Sequence, residues 1–292
     1  MSRIAYVNGR YLPLSNAKVA VEDRGYQFAD GVYEVCEVRG GWMIDERRHM
    51  ARLDRSLGEL RIARPMSSAA MGVVLRETIR RNRVRDGIVY VQVTRGAARR
   101  DFPFPSADTR PSLVVTARSN DPERLEQIAA EGISVITVPD IRWRRVDIKS
   151  VALLPNVLAK QAAREQGARE AWLVDVDGRI TEGASSNAWI VSRDGKLITH
   201  PLGHDILPGI TRSVVIEVIK AQGVPFEERT FTVEEAQAAR EAFITSAGQI
   251  VLPVVSINGR PIGNGAPGLI SAALRRDYHR HAEISKQGFP IV

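Results

Sequence analysis

The segment Ile4-Ala5-Tyr6-Val7-Asn8-Gly9-Arg10-Tyr11-Leu12 consists of two short apolar strands joined by Asn-Gly. Asn-Gly and Asp-Gly supply the positive φ angles that tight hairpin turns require. The same arrangement recurs along the chain, at Asp177-Gly178, Asp194-Gly195 and Asn258-Gly259. Further strands are predicted from the apolar runs 88–94, 112–117, 133–138 and 188–192. The chain is therefore rich in antiparallel strand pairs.

Helical periodicity predicts helices over 47–62, 68–82, 156–166, 210–222 and 269–283. Because the hairpins cluster rather than alternating strictly with these helices, a regular parallel sheet is not expected. The prediction is a mixed α+β fold. The polar run 118–122 (RSNDP) is typical of an interdomain linker. It predicts a small α+β domain at 1–120 and a larger one at 121–292.

Composition indicates a globular protein, since 44% of the 292 residues are hydrophobic and 26% are charged. No apolar run approaches the roughly 20 residues that cross a bilayer, so no transmembrane helix is predicted. The N-terminus shows no apolar signal-peptide core. A single cysteine, Cys36, excludes an intramolecular disulfide and a cysteine-rich metal site. We expect a soluble cytoplasmic protein with no membrane or metal partner.

The net charge of +7 makes nucleic acid a partner to consider. The arginines are scattered, however, and dense clusters occur only at 80–83 and 142–145. No helix-turn-helix, zinc-finger or aromatic RNA-binding signature accompanies them, so nucleic acid is not the expected partner. Side-chain amines for carbonyl chemistry are limited to six: Lys18, Lys149, Lys160, Lys196, Lys220 and Lys286.

Lys149 follows a strand-like segment and precedes the apolar run 151–154. Loss of solvation in that setting favours an uncharged amine that can form a Schiff base. The ordinary alternative is a lysine at a strand end with its ammonium group in water. Other features of the sequence must decide between the two.

Three further motifs bear on that choice. Glu182, within 180–187 (ITEGASSN), either faces a ligand or lies in an exposed turn. The run 207–212 (LPGITR) opens a helix, whose start is either an ordinary entry or a phosphate site. Arg52 and Arg55 either clamp phosphate or line a solvated helix surface. An amine, a phosphate clamp and a carboxylate are together what pyridoxal 5′-phosphate requires.

With these motifs in place, the sequence resembles the fold-type IV pyridoxal-phosphate transaminases, and within them the bacterial D-amino-acid transaminases. The resemblance implies two α+β domains, a cofactor in the interdomain cleft and a homodimer. The matching segments follow one another in order: 22–34 (EDRGYQFADGVYE), 93–96 (VTRG), 140–143 (DIRW), 147–150 (DIKS), 156–160 (NVLAK), 181–187 (TEGASSN) and 209–212 (GITR).

The resemblance also implies roles for the matching residues. Lys149 would form the Schiff base and move the proton between substrate Cα and cofactor C4′. Glu182 would pair with the pyridine nitrogen, and Arg52 would bind the phosphate. Leu207 would pack on the ring. The remaining cofactor-binding positions are Ser186, Ile210, Thr211, Ser246 and Ala247.

Two positions depart from the family pattern. The family has Arg-x-His, reaching from the partner subunit to hold the substrate carboxylate beside Tyr33, where this chain has Arg100-Asp101-Phe102. Phe102 removes one hydrogen-bond donor, which weakens carboxylate binding by about 1–3 kcal/mol. Ala247 stands where the family commonly offers a phosphate-binding hydroxyl, although its backbone N–H can still donate.

The expected activity is that of a D-amino-acid transaminase, which converts D-alanine and 2-oxoglutarate to pyruvate and D-glutamate. A branched-chain L-amino-acid transaminase and an (R)-amine transaminase share the cofactor, as does an aminodeoxychorismate lyase. The stereochemical choice rests on the resemblance alone. An alternative from another class is a non-catalytic, basic nucleic-acid-binding protein.

Overall fold

Two compact units make up the part of the chain that the computed structural model describes, residues 3–285. The first contains 3–121, 148–152 and 283–285, and the second contains 122–147 and 153–282. The segment with Lys149 therefore belongs to the first unit, whereas the sequence predicted it in the larger second domain. The physical reason is backbone pairing: Tyr33 N donates to Lys149 O at 2.9 Å, and Val151 N donates to Gly31 O at 3.0 Å.

The strands and helices of residues 3–285 are numbered in chain order. The strands are β1 (Ile4–Val7), β2 (Arg10–Pro13), β3 (Gly31–Arg39), β4 (Trp42–Ile44), β5 (Gly87–Thr94), β6 (Ser112–Ser119), β7 (Ile133–Pro139), β8 (Glu170–Val174), β9 (Ile180–Gly183), β10 (Asn187–Val191), β11 (Leu197–Thr199), β12 (Phe226–Glu228), β13 (Glu241–Ser246), β14 (Ile250–Ile257), β15 (Arg260–Pro261) and β16 (Ile284–Ser285). The α-helices are α1 (Arg24–Phe28), α2 (Glu46–Glu59), α3 (Ser68–Arg81), α4 (Pro122–Glu131), α5 (Leu154–Glu165), α6 (Ile210–Ala221), α7 (Val233–Gln237) and α8 (Leu269–His281).

The described part of the first unit forms a seven-stranded sheet in the order β16-β4-β3-β5-β6-β1-β2. One face of β3, β5 and β6 is buried against α2 and α3, because alternate residues of a strand point to opposite faces. Side chains that form this core include Val32, Val91, Val115, Leu53, Leu75 and Ile79. The opposite face carries the half-buried Tyr33, Tyr90 and Gln92.

Within 122–282 the second unit forms a nine-stranded mixed sheet, in the order β12-β11-β10-β13-β14-β7-β8-β9 with β15 beside β14. Strand β10 is buried along its whole length. The core gathers Trp172, Ile190, Phe231, Ile244 and Leu252. Helix α8 packs on β14 and on α6, and α5 packs on β8.

The predicted α+β class and the predicted hairpins are confirmed. Each of the four turns predicted from Asn-Gly or Asp-Gly joins an antiparallel pair: β1–β2, β8–β9, β10–β11 and β14–β15. The first turn shows the local cause, since Asn8 and Gly9 adopt φ of 44° and 95°. The predicted helices correspond to α2, α3, α5, α6 and α8; three of the starts are exact, and no end is shifted by more than three residues.

Three α-helices of residues 3–285 were not predicted, and neither was the single-turn 3₁₀ helix at Leu14–Asn16. Helices α1 and α7 have only five residues each, too few for a periodic pattern. Helix α4 begins at Pro122, in the run interpreted as a linker; proline suits a first helical position because the missing N–H has no intrahelical acceptor there. No helix among residues 3–285 is long and apolar enough to span a bilayer.

Candidate active site

Lys149 lies in irregular backbone after a turn at 146–147, not after the strand that the sequence predicted. Its backbone N donates to Ser56 Oγ at 3.3 Å, and its carbonyl accepts from Tyr33 N. Its Nζ lies 4.3 Å from the centroid of the Tyr33 ring. The side chain is half-buried. The amine therefore rests on an aromatic face that limits its contact with water.

Tyr33 lies beside two further polar side chains on the same face of the sheet, Tyr90 and Gln92. It stacks on Tyr90 with ring centroids 5.7 Å apart, and Tyr90 Oη donates to Gln92 Oε1 at 2.7 Å. Burial, with a smaller contribution from Tyr33, raises the pKa of Tyr90 to about 12. The hydroxyl of Tyr90 thus remains a proton donor at neutral pH.

Arg52 and Arg55, both phosphate candidates from the sequence, have different environments. Arg55 is exposed and pairs with Glu59 at 4.0 Å, as expected for a solvated helix surface. Arg52 is buried and donates to Glu34 through Nε at 2.7 Å and Nη2 at 2.9 Å. The structure therefore selects Arg52 as the buried guanidinium of α2.

Glu34 is a carboxylate that the sequence analysis did not single out. It is fully buried, and His49 Nδ1 lies 2.8 Å from its Oε2. Burial opposes ionisation, but the charge and hydrogen bonds of Arg52 and His49 outweigh it and hold the pKa of Glu34 well below its usual range. The spacing of His49 and Arg52, three apart on α2, is a sequence signal that could have indicated a shared partner.

Glu182 is 3% exposed on β9, which excludes the exposed-turn alternative. Its Oε2 accepts from Asn187 Nδ2 at 2.9 Å and from Leu207 N at 3.1 Å. Its Oε1 accepts from Arg142 Nη1. Three donors thus converge on one buried carboxylate, and one of them is a cation.

Arg142 appeared in the sequence analysis as part of a basic cluster and of the family-matching segment 140–143, but no role was given to it. Its side chain is 5% exposed, and it also bonds Asp140 at 2.6 Å. Burial lowers the pKa of Arg142, but hydrogen bonds and charge from Asp140 and Glu182 outweigh burial and raise it. The guanidinium therefore remains charged beside Glu182.

The start of α6 lies near the same residues. No described side chain caps this helix at Gly209, and Thr211 in its first turn is buried. A Cβ at Gly209 would lie 2.0 Å from Asn187 Oδ1, while Asn187 Nδ2 bonds both Glu182 and Leu207 O. Glycine is needed here because Asn187 approaches so closely.

Sheet register brings the remaining second-unit candidates to one end of the strands. Asn187 of β10 is paired with Thr245 of β13, so Ser186 and Ser246 lie next to each other in register. Ser246 and Ala247 are half-buried, and Ser186 Oγ donates to the buried Glu170 at 3.2 Å. All the second-unit candidates lie at the ends of elements: near the β9–β10 turn, at the start of α6, or at the end of β13. They are Glu182, Ser186, Leu207, Ile210, Thr211, Ser246 and Ala247.

Arg100 and Phe102 lie in the first unit, in the stretch 98–111, all of it described, which contains neither helix nor strand. Phe102 is 77% exposed. The first unit thus carries Lys149, Arg52, Tyr33, Arg100 and Phe102. The second unit carries the start of α6, which no described side chain caps, and the buried carboxylate of Glu182.

Residues 31–257 match the model of the amino-transferase class IV family. The D-alanine aminotransferase of Staphylococcus haemolyticus is 38% identical over 278 residues, covering 95% of this chain and 97% of that one. The D-alanine aminotransferase of Bacillus licheniformis is 43% identical over 261 residues, covering 89% and 90%. A solved branched-chain aminotransferase of Thermoproteus uzoniensis with norvaline has a TM-score of 0.80 at 27% identity, covering 97% and 99%. Since the family model spans most of the chain and relatives align over nearly its whole length, the chain belongs to the class IV aminotransferases.

Proposed function

We propose that the chain is a pyridoxal-phosphate-dependent transaminase that interconverts D-amino acids and 2-oxo acids. D-alanine and 2-oxoglutarate are the expected pair, giving pyruvate and D-glutamate. The observation that carries the proposal is the likeness to two D-alanine aminotransferases over about nine-tenths or more of the chain. The arrangement of buried charges in both units supports it.

The residues present fit the cofactor. Arg142 donates a hydrogen bond to the buried Glu182, a contact that favours the carboxylate which a protonated pyridine nitrogen requires. The uncapped start of α6 offers backbone N–H groups to a phosphate, and Arg52 offers a guanidinium. When bound, the cofactor supplies an aldehyde for imine formation and a ring that accepts the electron pair of the broken Cα–H bond.

Each candidate residue then has a task. In the first half-reaction Lys149 Nζ would carry the proton from Cα of the amino donor to C4′ of the cofactor, and in the second it would carry one back to the corresponding carbon of the acceptor oxo acid. The Tyr33 ring beneath Nζ keeps the amine in place between these steps. Arg52 of the first unit, and Ile210, Thr211, Ser246 and Ala247 of the second, are the residues that would hold the phosphate. Leu207 would contact the ring, and Ser186 is a further candidate cofactor contact.

Substrate binding involves the first unit. Tyr33 receives the substrate carboxylate together with Arg100, which by the family pattern reaches from the partner subunit, and Phe102 provides no donor there. A guanidinium binds a carboxylate through two parallel hydrogen bonds, so Arg100 alone can orient it.

The decisive experiment replaces Lys149 with alanine. Wild-type holoenzyme should show a visible absorption band and transaminate D-alanine, and Lys149→Ala should lose both, because the variant lacks the amine that binds the cofactor and moves the proton. Far-UV circular dichroism should stay unchanged. Lys196→Ala, at a lysine 42% exposed, is the matched control and should keep band and activity. Turnover retained by Lys149→Ala would contradict the assignment.

A branched-chain L-amino-acid transaminase is the second candidate. It is favoured by Phe102, which stands in place of a carboxylate-binding donor, and by the likeness to the Thermoproteus uzoniensis enzyme. An (R)-amine transaminase is a further candidate on the same residue. Values of kcat/KM for D-alanine, L-alanine, L-leucine and (R)-1-phenylethylamine separate the three. Activity confined to L-leucine would refute the D-amino-acid proposal.

We also propose that the enzyme is a cytoplasmic homodimer. Large apolar side chains are exposed on a single chain in both units, where a second copy would cover them. On the first unit these are Val21, Tyr26 and Phe102, and on α5 of the second they are Leu154, Val157 and Leu158, all more than half exposed. The single cysteine, Cys36, is buried and free, as suits a reducing compartment.

A further inference from the structure

The stretch that carries Arg100 and Phe102 is held by side chains rather than by backbone pairing. Its entry is tied to α1, since Arg24 N donates to Gly96 O at 2.9 Å and Ala98 N donates to Glu22 O at 3.2 Å. Beyond that point, 99–105 contains neither helix nor strand in the described structure. The conformation of 99–105 therefore depends on the side chains that donate hydrogen bonds to it or pack against it.

Arg24 is the main polar anchor of this stretch. It is 4% exposed, and it donates through Nη1 to Asp101 O at 2.6 Å and through Nη2 to Phe102 O at 3.3 Å. Its Nε donates to Asp30 at 2.8 Å. The two carbonyls directly after Arg100 are therefore fixed by one buried guanidinium.

Asp30 is itself held from a second side. Arg95 binds its carboxylate through Nε at 2.7 Å and Nη2 at 2.9 Å. Burial opposes ionisation of Asp30, but hydrogen bonds from Arg95 and Arg24 outweigh it and lower the pKa of Asp30. Arg95 also lies 3.7 Å from the centroid of the Phe104 ring. The stretch is thus anchored on both sides of Phe102.

Phe28, at the end of α1, supplies an apolar platform. The Phe102 ring lies on it with centroids 5.6 Å apart. Arg100 Cζ lies 5.1 Å from the Phe28 centroid and 5.9 Å from the Phe102 centroid. Arg24 Cζ lies 4.7 Å from the Phe28 ring. The exposed guanidinium of Arg100 therefore has two aromatic neighbours at cation–π distances.

We propose that Arg24 and Phe28 are positioning residues that set the Arg100 guanidinium for the α-carboxylate of an amino or oxo acid, with Phe102 acting as a supporting ring. The inference rests on the proposed function, in which Arg100 binds that carboxylate. Arg24 fixes the backbone beside Arg100, while Phe28 and Phe102 restrict the orientations of its side chain. A side chain restricted before binding loses less entropy when the carboxylate arrives. Phe102 thus compensates in part for the hydrogen bond that it cannot donate.

The test compares Phe28→Leu with Phe28→Tyr in wild-type and Arg100→Leu backgrounds, using the holoenzyme. Phe28→Leu keeps apolar volume but removes the ring, and should raise KM for the amino acid about two- to fivefold with kcat little changed. Phe28→Tyr keeps the ring and should keep the wild-type KM. In the Arg100→Leu background, Phe28→Leu should have no further effect, because Phe28 acts through Arg100.

A second measurement reads the loop without turnover. Arg24→Lys cannot bond Asp30 and two carbonyls at once, so amide hydrogen exchange over 99–105 should become faster than in wild type. If Arg24→Lys does not fold, the Phe28 comparison decides alone.

Three results would overturn the inference: an unchanged KM in Phe28→Leu, a loss confined to kcat, or an equal rise in KM in the Arg100→Leu background. Wild-type holoenzyme that transaminates no amino acid contradicts the proposed function instead, and the inference falls with it. Normal wild-type turnover with additive Phe28 and Arg100 effects contradicts the positioning role alone.

Discussion

Two buried carboxylates, Glu34 and Glu182, show how single residues keep charge inside this protein. An isolated carboxylate in an apolar interior would be protonated, because burial penalises the ionised form. Each here lies against an arginine, Arg52 for Glu34 and Arg142 for Glu182. In the proposed function the ligand meets one member of each pair, the Arg52 guanidinium and the Glu182 carboxylate. Removing either member would leave its partner buried and uncompensated.

Glu34→Gln tests this account through pH. The folded chain keeps Glu34 ionised well below its ordinary pKa, so unfolding takes up a proton once the pH falls towards about 4.3. This contribution to the free energy of unfolding is complete at neutral pH and declines as the pH falls below about 5. Glu34→Gln should lower the free energy of unfolding at pH 7 by about 3 kcal/mol. It should also flatten the dependence on pH between about 5 and 2.

Urea unfolding at a series of pH values measures both effects. Glu77→Gln is the matched control, because Glu77 also binds arginines, Arg80 and Arg81, but at the surface. Solvent screens that pair, so the control should cost at most about 1 kcal/mol. Parallel stability curves for wild type and Glu34→Gln would show that Arg52 and His49 do not stabilise the ionised form of Glu34.

At the scale of elements, two helix starts of the second unit contrast. Helix α8 follows Gly268, and the buried Glu241 accepts from Ile270 N at 3.1 Å and Ser271 N at 3.0 Å. Helix α6 follows Gly209 without a side-chain cap among the described residues. A carboxylate of the chain satisfies the first set of N–H groups, whereas the second set suits an external anion.

Gly209→Ala should disturb the α6 start. The added Cβ would lie 2.0 Å from Asn187 Oδ1, and Asn187 cannot withdraw freely because its Nδ2 bonds Glu182 and Leu207. We expect weaker binding of pyridoxal 5′-phosphate, by about tenfold, and a loss of stability of about 1–3 kcal/mol. Fluorescence titration of the apoenzyme and urea unfolding measure the two.

Gly58→Ala is the control for that substitution. Gly58 lies inside α2, and apart from its chain neighbours and the nearby backbone of its own helix, no described atom lies within 4 Å of the added Cβ. Alanine there should stabilise the protein by about 0.5–1 kcal/mol through helix propensity and leave cofactor affinity unchanged. Equal cofactor affinities for Gly209→Ala and Gly58→Ala would argue against a phosphate site at α6.

For the whole molecule, the chain leaves the second unit at 148–152 to complete the first unit. It returns to the first unit once more at 283–285. The return is tied by hydrogen bonds between Asp45 and Glu283 in both directions, with Asp45 N donating to Glu283 O at 2.7 Å. Lys149 is therefore part of the unit that holds Arg52, while Glu182 is part of the other. The position of the Lys149 amine therefore depends on β3, which is far from it in sequence and pairs with its backbone.

The exposed apolar residues lead to a prediction about assembly. Sedimentation equilibrium of the holoenzyme should give twice the 32.2 kDa of one chain, since burial of such surfaces favours association. Val157→Glu and Leu158→Glu together should shift the mass towards one chain if α5 lies in the interface. Glu165→Gln, a substitution at the other end of α5, is the control and should not change the mass. A wild-type mass of 32.2 kDa at micromolar concentration would refute the homodimer.

Features that depend only on neighbouring residues could be predicted from the sequence. Asn8-Gly9 forms a turn because its φ angles are a local property, and α6 begins at Ile210 because an apolar repeat follows Pro-Gly. The ordered motifs were also sufficient to predict the family and the α+β class. Short elements were not predicted, because a helix such as α1, with five residues, is too short to show a periodic pattern.

Which charges are buried together depends on contacts between distant parts of the chain. The local sequence does not distinguish Arg52 from Arg55. The fold does, because Arg52 is buried against Glu34 of β3 whereas Arg55 is exposed to solvent. Arg142 meets Glu182 across 40 positions, and Arg24 reaches Phe102 across 78. A side chain's charge state and orientation depend on the groups that the fold brings to it, and those groups come from distant parts of the chain.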